Sequence, residues 1–283
     1  MLLAALIIVG LGLGDFANSR AAKKFRPLAM ITMFGVVGTV FMLGVALATG
    51  MPTFSVGYMA GFMLASFFEV SGLLLMLKAF KLGKAGVITP ITNSYILVAV
   101  FVLAVFAGKA ISAALIAAVL VTLAGVITLT FEKTKSGKFK VDKSVILALV
   151  SILFFGMSFV VFEYAATGTW IANTLAHSIT TIPVAAMFIA GSYLVGDPVK
   201  FNKAFFKDKI VYVGALSSMA GGIGLFISIE HFGSVVFGGA VDAASPLATA
   251  LLAYKFNHDR LSRTQWIGAV VAVVGVMGVS IFS

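Results

Sequence analysis

The segment "GLLLMLKAFKLGKAGVITPITNSYILVAVFVLAVFAGKAISAALIAAVLVTLAGVITL" (residues 72–129) has a gapless counterpart 150 residues later, "GIGLFISIEHFGSVVFGGAVDAASPLATALLAYKFNHDRLSRTQWIGAVVAVVGVMGV" (residues 222–279). Glycines recur at the same places, so that Gly125 matches Gly275. Apolar segments match one another easily, and the identity between the copies is modest. The correspondence nevertheless predicts two related halves.

The composition of the chain is that of a polytopic membrane protein. Of its 283 residues, 61% are hydrophobic and 11% are charged, and the mean hydropathy is +1.12. A soluble domain of this length needs more polar surface, and apolar runs long enough to cross about 30 Å of hydrocarbon recur throughout. The absence of cysteine excludes disulfides, thiolate metal sites and cysteine catalysis.

Ten membrane spans are predicted from the apolar runs. The first is interpreted as a retained helix rather than a signal peptide, because it lacks a basic n-region and a clean cleavage site. The spans cover residues 2–20, 28–50, 56–78, 84–107, 110–131, 144–166, 170–195, 210–230, 234–255 and 264–282.

The basic residues predict an orientation. Every lysine and arginine except Lys109 lies in an odd-numbered loop or at the end of a span next to one. By the positive-inside rule the odd-numbered loops are cytoplasmic, which places both termini outside. The net charge of +10 therefore faces anionic lipid head groups rather than nucleic acid. The predicted location is the cell membrane, plasma or inner.

The number of spans in each half determines how the halves are related. Five spans are an odd number, so the second half must enter the membrane in the opposite sense to the first. Inverted repeats around a midplane site are typical of secondary transporters. The predicted fold is an all-α membrane bundle of two inverted five-helix repeats.

The segments that open and close the two halves resemble a known family. "GLGDFANSRAA" opens the first half and "FFGMSFVVFEYAA" the second, and "GKAGVITPITNSYILV" corresponds to "GSVVFGGAVDAASPLA". Each half is similar to the EamA-type repeat of the drug/metabolite transporter superfamily. The resemblance implies repeats at residues 1–131 and 144–283, joined by a basic loop at 132–143. It also implies a central cavity lined by spans 1–4 and 6–9, with spans 5 and 10 peripheral.

Ionisable and polar residues inside the spans are the candidate site, because such groups usually face a bundle interior or a water-filled cavity. Glu69 shares a helix face with small residues. Pro246 frees a backbone carbonyl one turn earlier, at Asp242, and Pro90 has the comparable position in span 4. The candidate substrate-binding and coupling residues are Asp15, Asn18, Glu69, Thr92, Asn93, Asn173, His177 and Asp242, with Pro90 and Pro246 as hinges.

Three functions can be weighed against these residues. The sequence GLGD at residues 12–15 resembles the signature of intramembrane aspartyl proteases, whose chemistry needs a second, nearby carboxylate. The pattern of those proteases places that carboxylate in a Tyr-Asp pair, and the chain contains no such pair. A channel does not need inverted repeats, but the repeats do not exclude one, and a channel stays an alternative. A secondary transporter needs inverted repeats, kinked helices and a few buried acids, and the sequence has all three.

The transported solute is predicted to be a small polar metabolite: an amino acid-like zwitterion, a cation or a neutral molecule. Carboxyl groups within the spans are suited to proton coupling; the alternative is a sugar or nucleoside uniporter or exchanger without such coupling. No Walker A motif is present, so ATP is not the driver. No cofactor or metal is predicted, and the expected partners are the solute, protons and lipids, with the protein a monomer or weak homodimer.

Overall fold

The computed structural model describes residues 2–107, 112–130, 132–133, 139–140, 142–199, 201–232 and 235–282. Lys109 and much of the predicted connecting loop 132–143 lie outside these residues. The first half contains α1 (Leu2–Ala22), α2 (Pro27–Thr49), α3 (Val56–Leu82), α4 (Ala85–Thr92), a 3₁₀ turn (Asn93–Tyr95), α5 (Ile96–Ala107) and α6 (Ala113–Thr130).

Two short antiparallel strands, β1 (Glu132–Lys133) and β2 (Phe139–Lys140), precede the second half. The second half contains α7 (Lys143–Ala165), α8 (Trp170–Leu194), α9 (Lys203–Lys207), α10 (Lys209–Phe232), α11 (Val235–Asp242), α12 (Ser245–Leu252), a π-helical turn (Ala253–Asn257) and α13 (Arg263–Phe282).

The helices are those of a membrane protein. Among the described residues, seven helical segments are long and apolar enough to cross a membrane, and two shorter ones, Ala113–Thr128 and Arg263–Gly278, are apolar as well. Many large apolar side chains point outward along them, Leu47 and Phe101 among them, as expected of surfaces that contact lipid. The prediction of an all-α integral membrane protein is confirmed.

Local sequence signals determine where the helices begin and end. Ser55 and Thr169 accept hydrogen bonds from backbone N–H groups in the first turns of α3 and α8, at 3.1 and 3.3 Å. Gly50, with φ of 122°, ends α2 in a backbone conformation that other residues rarely adopt. These caps satisfy groups that a helix leaves unpaired at its termini.

Helices of the first half pack mainly against helices of the second. Helix α1 lies along α10, α3 along α7, α2 along α8, and α6 along α13. Glycine allows the closest of these contacts: a Cβ on Gly125 of α6 would lie 2.3 Å from Ala272 N, and one on Gly275 of α13 would lie 2.4 Å from Thr122 N. Small residues at a crossing let two backbones approach in a membrane, where apolar burial against lipid adds little.

Substituting Gly125 with alanine is expected to destabilise the protein, because the added methyl group meets the backbone of α13. Overpacking of this kind costs about 1–3 kcal/mol. The matched control is Gly44→Ala on α2, where an added Cβ meets nothing within 4 Å; that helix should be unchanged or more stable by up to about 1 kcal/mol. Thermal unfolding of both variants in detergent measures the difference, and equal melting temperatures would contradict the α6–α13 packing.

Three ion pairs join the loop after α1 to loops of the second half. They are Lys24–Asp208 at 2.7 Å, Arg26–Asp197 at 2.6 Å and Lys23–Asp259 at 4.0 Å. The hydrogen bond from Lys24 holds the pKa of Asp208 below its usual range, and the backbone N–H of Ile210 acts in the same direction. Both halves are therefore tied together on the face where the basic loops lie.

The Asp208→Asn variant is expected to lose a small part of the stability of the protein at neutral pH. Exposed pairs contribute about 0.2–1 kcal/mol, less at high salt. Because the folded-state pKa of Asp208 is depressed, its contribution is present above the ordinary carboxyl pKa and is lost as pH falls through the folded-state value. Melting curves of the two proteins should differ at pH 7 and converge in acid; a difference that persists in acid would contradict this explanation.

Candidate functional site

A cavity of about 190 Å³ lies between the helices. Its walls come from α1, α2, α3, the 3₁₀ turn, α7, α8, α10 and α11, and none of the described lining residues belongs to α6 or α13. Six of the eight predicted polar site residues line it: Asp15, Asn18, Glu69, Asn93, His177 and Asp242.

On one wall, Glu69 of α3 and His177 of α8 form a pair, with Oε2 and Nε2 2.5 Å apart. The rings of Phe162 and His177 are perpendicular at a centroid distance of 5.4 Å, and the ring of Phe226 lies 5.8 Å from the imidazole. A hydrogen bond of 2.8 Å between the hydroxyls of Ser66 and Thr180 holds α3 and α8 together one turn along. Small polar residues thus position an acid–imidazole pair at the cavity surface.

On another wall, Asp242 ends α11 at the break before α12. Its Oδ1 accepts a hydrogen bond from Ser245 Oγ at 2.7 Å, and its Oδ2 accepts one from the Tyr95 hydroxyl at 3.0 Å. Asn93 Nδ2 lies 3.4 Å from both Oδ1 and the carbonyl oxygen of Asp242. The carbonyl that Pro246 frees is therefore satisfied by a side chain from the other half.

The third polar wall belongs to α1, which Gly14 of the GLGD segment brings close to α10. A Cβ on Gly14 would lie 2.5 Å from Ser218 Oγ. Asn18 Nδ2 donates to Ser218 Oγ at 3.2 Å, whereas Asn18 Oδ1 is buried without a partner among the described residues. Asp15 lines the cavity and makes no hydrogen bond or ion pair with any residue that the structure describes.

Two predicted site residues do not line the cavity. Thr92 is buried and donates its hydroxyl proton to the carbonyl of Thr89 at 3.0 Å. Asn173 accepts a hydrogen bond from the Tyr58 hydroxyl at 2.6 Å and donates to Gly168 O at 2.8 Å, so it closes the turn before α8. Their described contacts are those of residues that support the helices around the cavity.

Several lining residues were not identified from the sequence. Tyr95, Ser218, Gly222, Phe155 and Phe159 all face the cavity. Tyr95 stands three residues after Thr92 in the short polar segment that follows Pro90, and that segment was the available signal. The aromatic residues carry no signal of their own, because phenylalanine is frequent throughout the chain.

The donor set of the cavity does not indicate a metal site. Within the described ranges of the chain, no group of three or more His, Cys, Asp or Glu side chains is arranged to hold a metal ion. The cavity instead combines carboxyl groups with amides, hydroxyls and aromatic rings, a lining typical of a small-molecule site.

Comparison with known proteins identifies the family. Residues 142–281 match the EamA-like transporter family, a family of transporters and not of enzymes. A solved structure described only as the crystal structure of a protein superposes with a TM-score of 0.66 and 15% identity, covering 99% of both chains; at that identity the likeness shows the fold alone. No curated protein matches. The resemblance noted in the sequence is thus confirmed for residues 142–281, which are an EamA-like domain of the drug/metabolite transporter superfamily.

Proposed function

We propose that the protein is a secondary active transporter that moves a small polar metabolite by alternating access. The observation that carries the proposal is the polar cavity between helices of both halves, with Asp15, Glu69 and Asp242 on its walls. Ionisable groups at membrane depth are costly and are retained where they bind solutes or protons. A sealed scaffold has no need of such a cavity.

The proposed architecture is two inverted repeats, residues 1–131 and 144–283, joined by the loop 132–143. Reciprocal contacts support it: Gly125 packs on Ala272, and Gly275 packs on Thr122. The two contacts are equivalent under the 150-residue offset between the halves. Adding 150 to residue 125 gives residue 275, and subtracting 150 from residue 272 gives residue 122. The same operation exchanges the α1–α10 and α3–α7 contacts, as a two-fold axis in the membrane plane requires.

Two interrupted helices, one in each half, would allow the halves to move. Pro90 lies inside α4, which passes into the 3₁₀ turn, and Pro246 opens α12 after the break that follows Asp242. These prolines and the neighbouring turns would absorb the bend as one half rocks against the other. The cavity would then open alternately to the two sides.

Proton coupling would use the paired acids of the cavity. Glu69 exchanges a hydrogen bond with His177, and Asp242 accepts hydrogen bonds from Tyr95 and Ser245. A carboxyl group that is protonated in one state and ionised in the other links the conformational cycle to the proton gradient. The basic loops would face the cytoplasm by the positive-inside rule.

Solute-driven charge movement tests this function. Purified protein in proteoliposomes on a sensor surface is challenged with pools of amino acids, sugars and organic cations, with and without a pH step. A pool-specific current that changes with pH is expected. Tracer counterflow on the same vesicles detects electroneutral exchange, and silence in both assays across all pools would overturn the proposal.

A further inference from the structure

The charged groups of the cavity are not matched in number. The described lining residues include the carboxyl groups of Asp15, Glu69 and Asp242, and the only basic side chain among them is His177. No lysine or arginine lines the cavity within the described part of the chain. An anionic solute would therefore enter a cavity that offers it carboxylates and a single imidazole.

The hydrogen bonds inside the cavity leave one carboxyl group unmatched. Glu69 is paired with His177, and both oxygens of Asp242 accept hydrogen bonds. Asp15 has neither an ion-pair partner nor a hydrogen-bond partner among the described residues. A carboxylate in a region of low polarity needs a counter-charge or a proton, so an ionised Asp15 requires a positive group beside it, and no described residue supplies one.

Most side-chain donors of the cavity are already engaged, which matters for a solute carboxylate. Asn18 Nδ2 donates to Ser218, and Asn93 Nδ2 lies within 3.1–3.4 Å of Ser245 and Asp242. The hydroxyls on the cavity face of α8 donate to carbonyls of their own helix: Thr174 to Trp170, Ser178 to Thr174 and Thr181 to His177. A zwitterion would find a partner for its ammonium group, whereas the one basic side chain described for its carboxylate, His177, is already paired with Glu69.

The apolar part of the lining fits a hydrocarbon or aromatic body. Phe34, Phe155, Phe159 and Tyr95 contribute rings to the same cavity. Tyr95 and Phe159 pack together at a centroid distance of 4.3 Å. Aromatic rings stabilise a nearby cation through their quadrupole and bury apolar surface at the same time.

We infer that the solute of this transporter is a small organic amine in its ammonium form, with the ammonium group paired to Asp15 and the apolar body against the aromatic rings. This inference rests on the proposed transport function and narrows its solute from three chemical classes to one.

Three probes that share one scaffold separate these classes: phenethylamine, phenylalanine and 2-phenylethanol. Binding is measured as a shift in the melting temperature of the detergent-purified protein, and flux as counterflow in proteoliposomes. We expect phenethylamine to bind and to be transported. Asp15→Asn should weaken its binding by at least about 30-fold, the effect of removing one member of a desolvated charge pair.

Two further variants serve as references. Asp15→Glu keeps the charge and should retain binding. Asp197→Asn removes a carboxylate that is exposed on a loop outside the cavity and should leave binding unchanged. The thermal stability of each variant without probe shows whether it is folded.

The outcomes separate the two proposals. Phenethylamine that binds through Asp15 without flux would support the ammonium site and overturn transport. Flux of phenylalanine or 2-phenylethanol, insensitive to Asp15→Asn, would support transport and overturn the ammonium site. The ammonium site would also be overturned if phenethylamine failed to bind, or if it bound the Asp15→Asn variant as tightly as the unaltered protein.

Discussion

Replacing Gly222 with leucine is expected to reduce transport to the level of protein-free vesicles while leaving the fold intact. Gly222 lies on α10 and lines the cavity, and a Cβ added there meets nothing within 4 Å. The Cβ of the leucine therefore fits without a clash, and the rest of the side chain would extend into the space for the solute. Counterflow in proteoliposomes and the melting temperature in detergent measure the two effects.

Gly44→Leu is the matched control for this substitution. Gly44 lies on α2, an added Cβ there also meets nothing within 4 Å, and the residue does not line the cavity. Its replacement adds the same apolar volume to an exposed helix surface and should leave transport unchanged. Undiminished transport by Gly222→Leu would show that the solute does not pass through this cavity.

Combining Glu69→Gln with Asp242→Asn is expected to abolish uptake driven by a pH gradient. Both changes keep the shape of the side chain, and each amide still has an oxygen that can accept a hydrogen bond, from His177 or from Tyr95. Neither amide can exchange a proton in the accessible pH range. Solute counterflow, which needs no net proton movement, should persist.

Uptake is measured with and without an inward proton gradient in vesicles that carry each single variant and the double variant. Glu230→Gln is the control, because Glu230 accepts a hydrogen bond from Trp170 N at the start of α8 and does not line the cavity. If the double variant still concentrates solute in response to a pH gradient, the coupling groups are elsewhere.

The helices themselves could be predicted from the sequence because a membrane constrains them strongly. Apolar runs of about 20 residues are needed to cross the hydrocarbon, and the bounds of α2 (Pro27–Thr49) and α8 (Trp170–Leu194) lie within one residue of the predicted spans. The break between α11 and α12 was indicated by Pro246, which cannot supply the hydrogen bond to Asp242 O. The effects of lipid, proline and glycine on a helix depend on residues that are close in sequence. The helix bounds and breaks that they cause can therefore be predicted from one sequence.

The partners of the polar groups were harder to predict, because they depend on contacts between distant positions. Tyr95 and Asp242 are separated by 147 residues, and no local pattern links them. The alignment of the two halves matches Thr92 with Asp242. Thr92, however, donates its hydrogen bond to a carbonyl of its own helix, and the side chain that contacts Asp242 is that of Asn93. The 3₁₀ turn after Pro90 changes which side chains face the other half.

Two predicted site residues on α8 show the same limit. Asn173 and His177 are one helical turn apart, and the spacing predicts one shared face. His177 does line the cavity, but Asn173 is buried against Tyr58 and Gly168. In the turn before α8, Asn173 accepts a hydrogen bond from the N–H of Gly168 and donates one to its carbonyl, because backbone polar groups that lose water need a partner. Periodicity gives the face of a helix but not what covers each end of it.

Alternating access requires that the solute site can be reached from both sides of the membrane, and this can be measured directly on this protein. Met219 lines the cavity, and the chain contains no cysteine, so Met219→Cys introduces a single thiol at the proposed solute site. The variant is labelled with a membrane-impermeant thiol reagent in right-side-out and in inside-out vesicles. Labelling from both sides, in vesicles that remain impermeable to the reagent, is the expected result. Labelling from one side only, in the presence and absence of solute, would contradict a site that opens alternately to the two faces of the membrane.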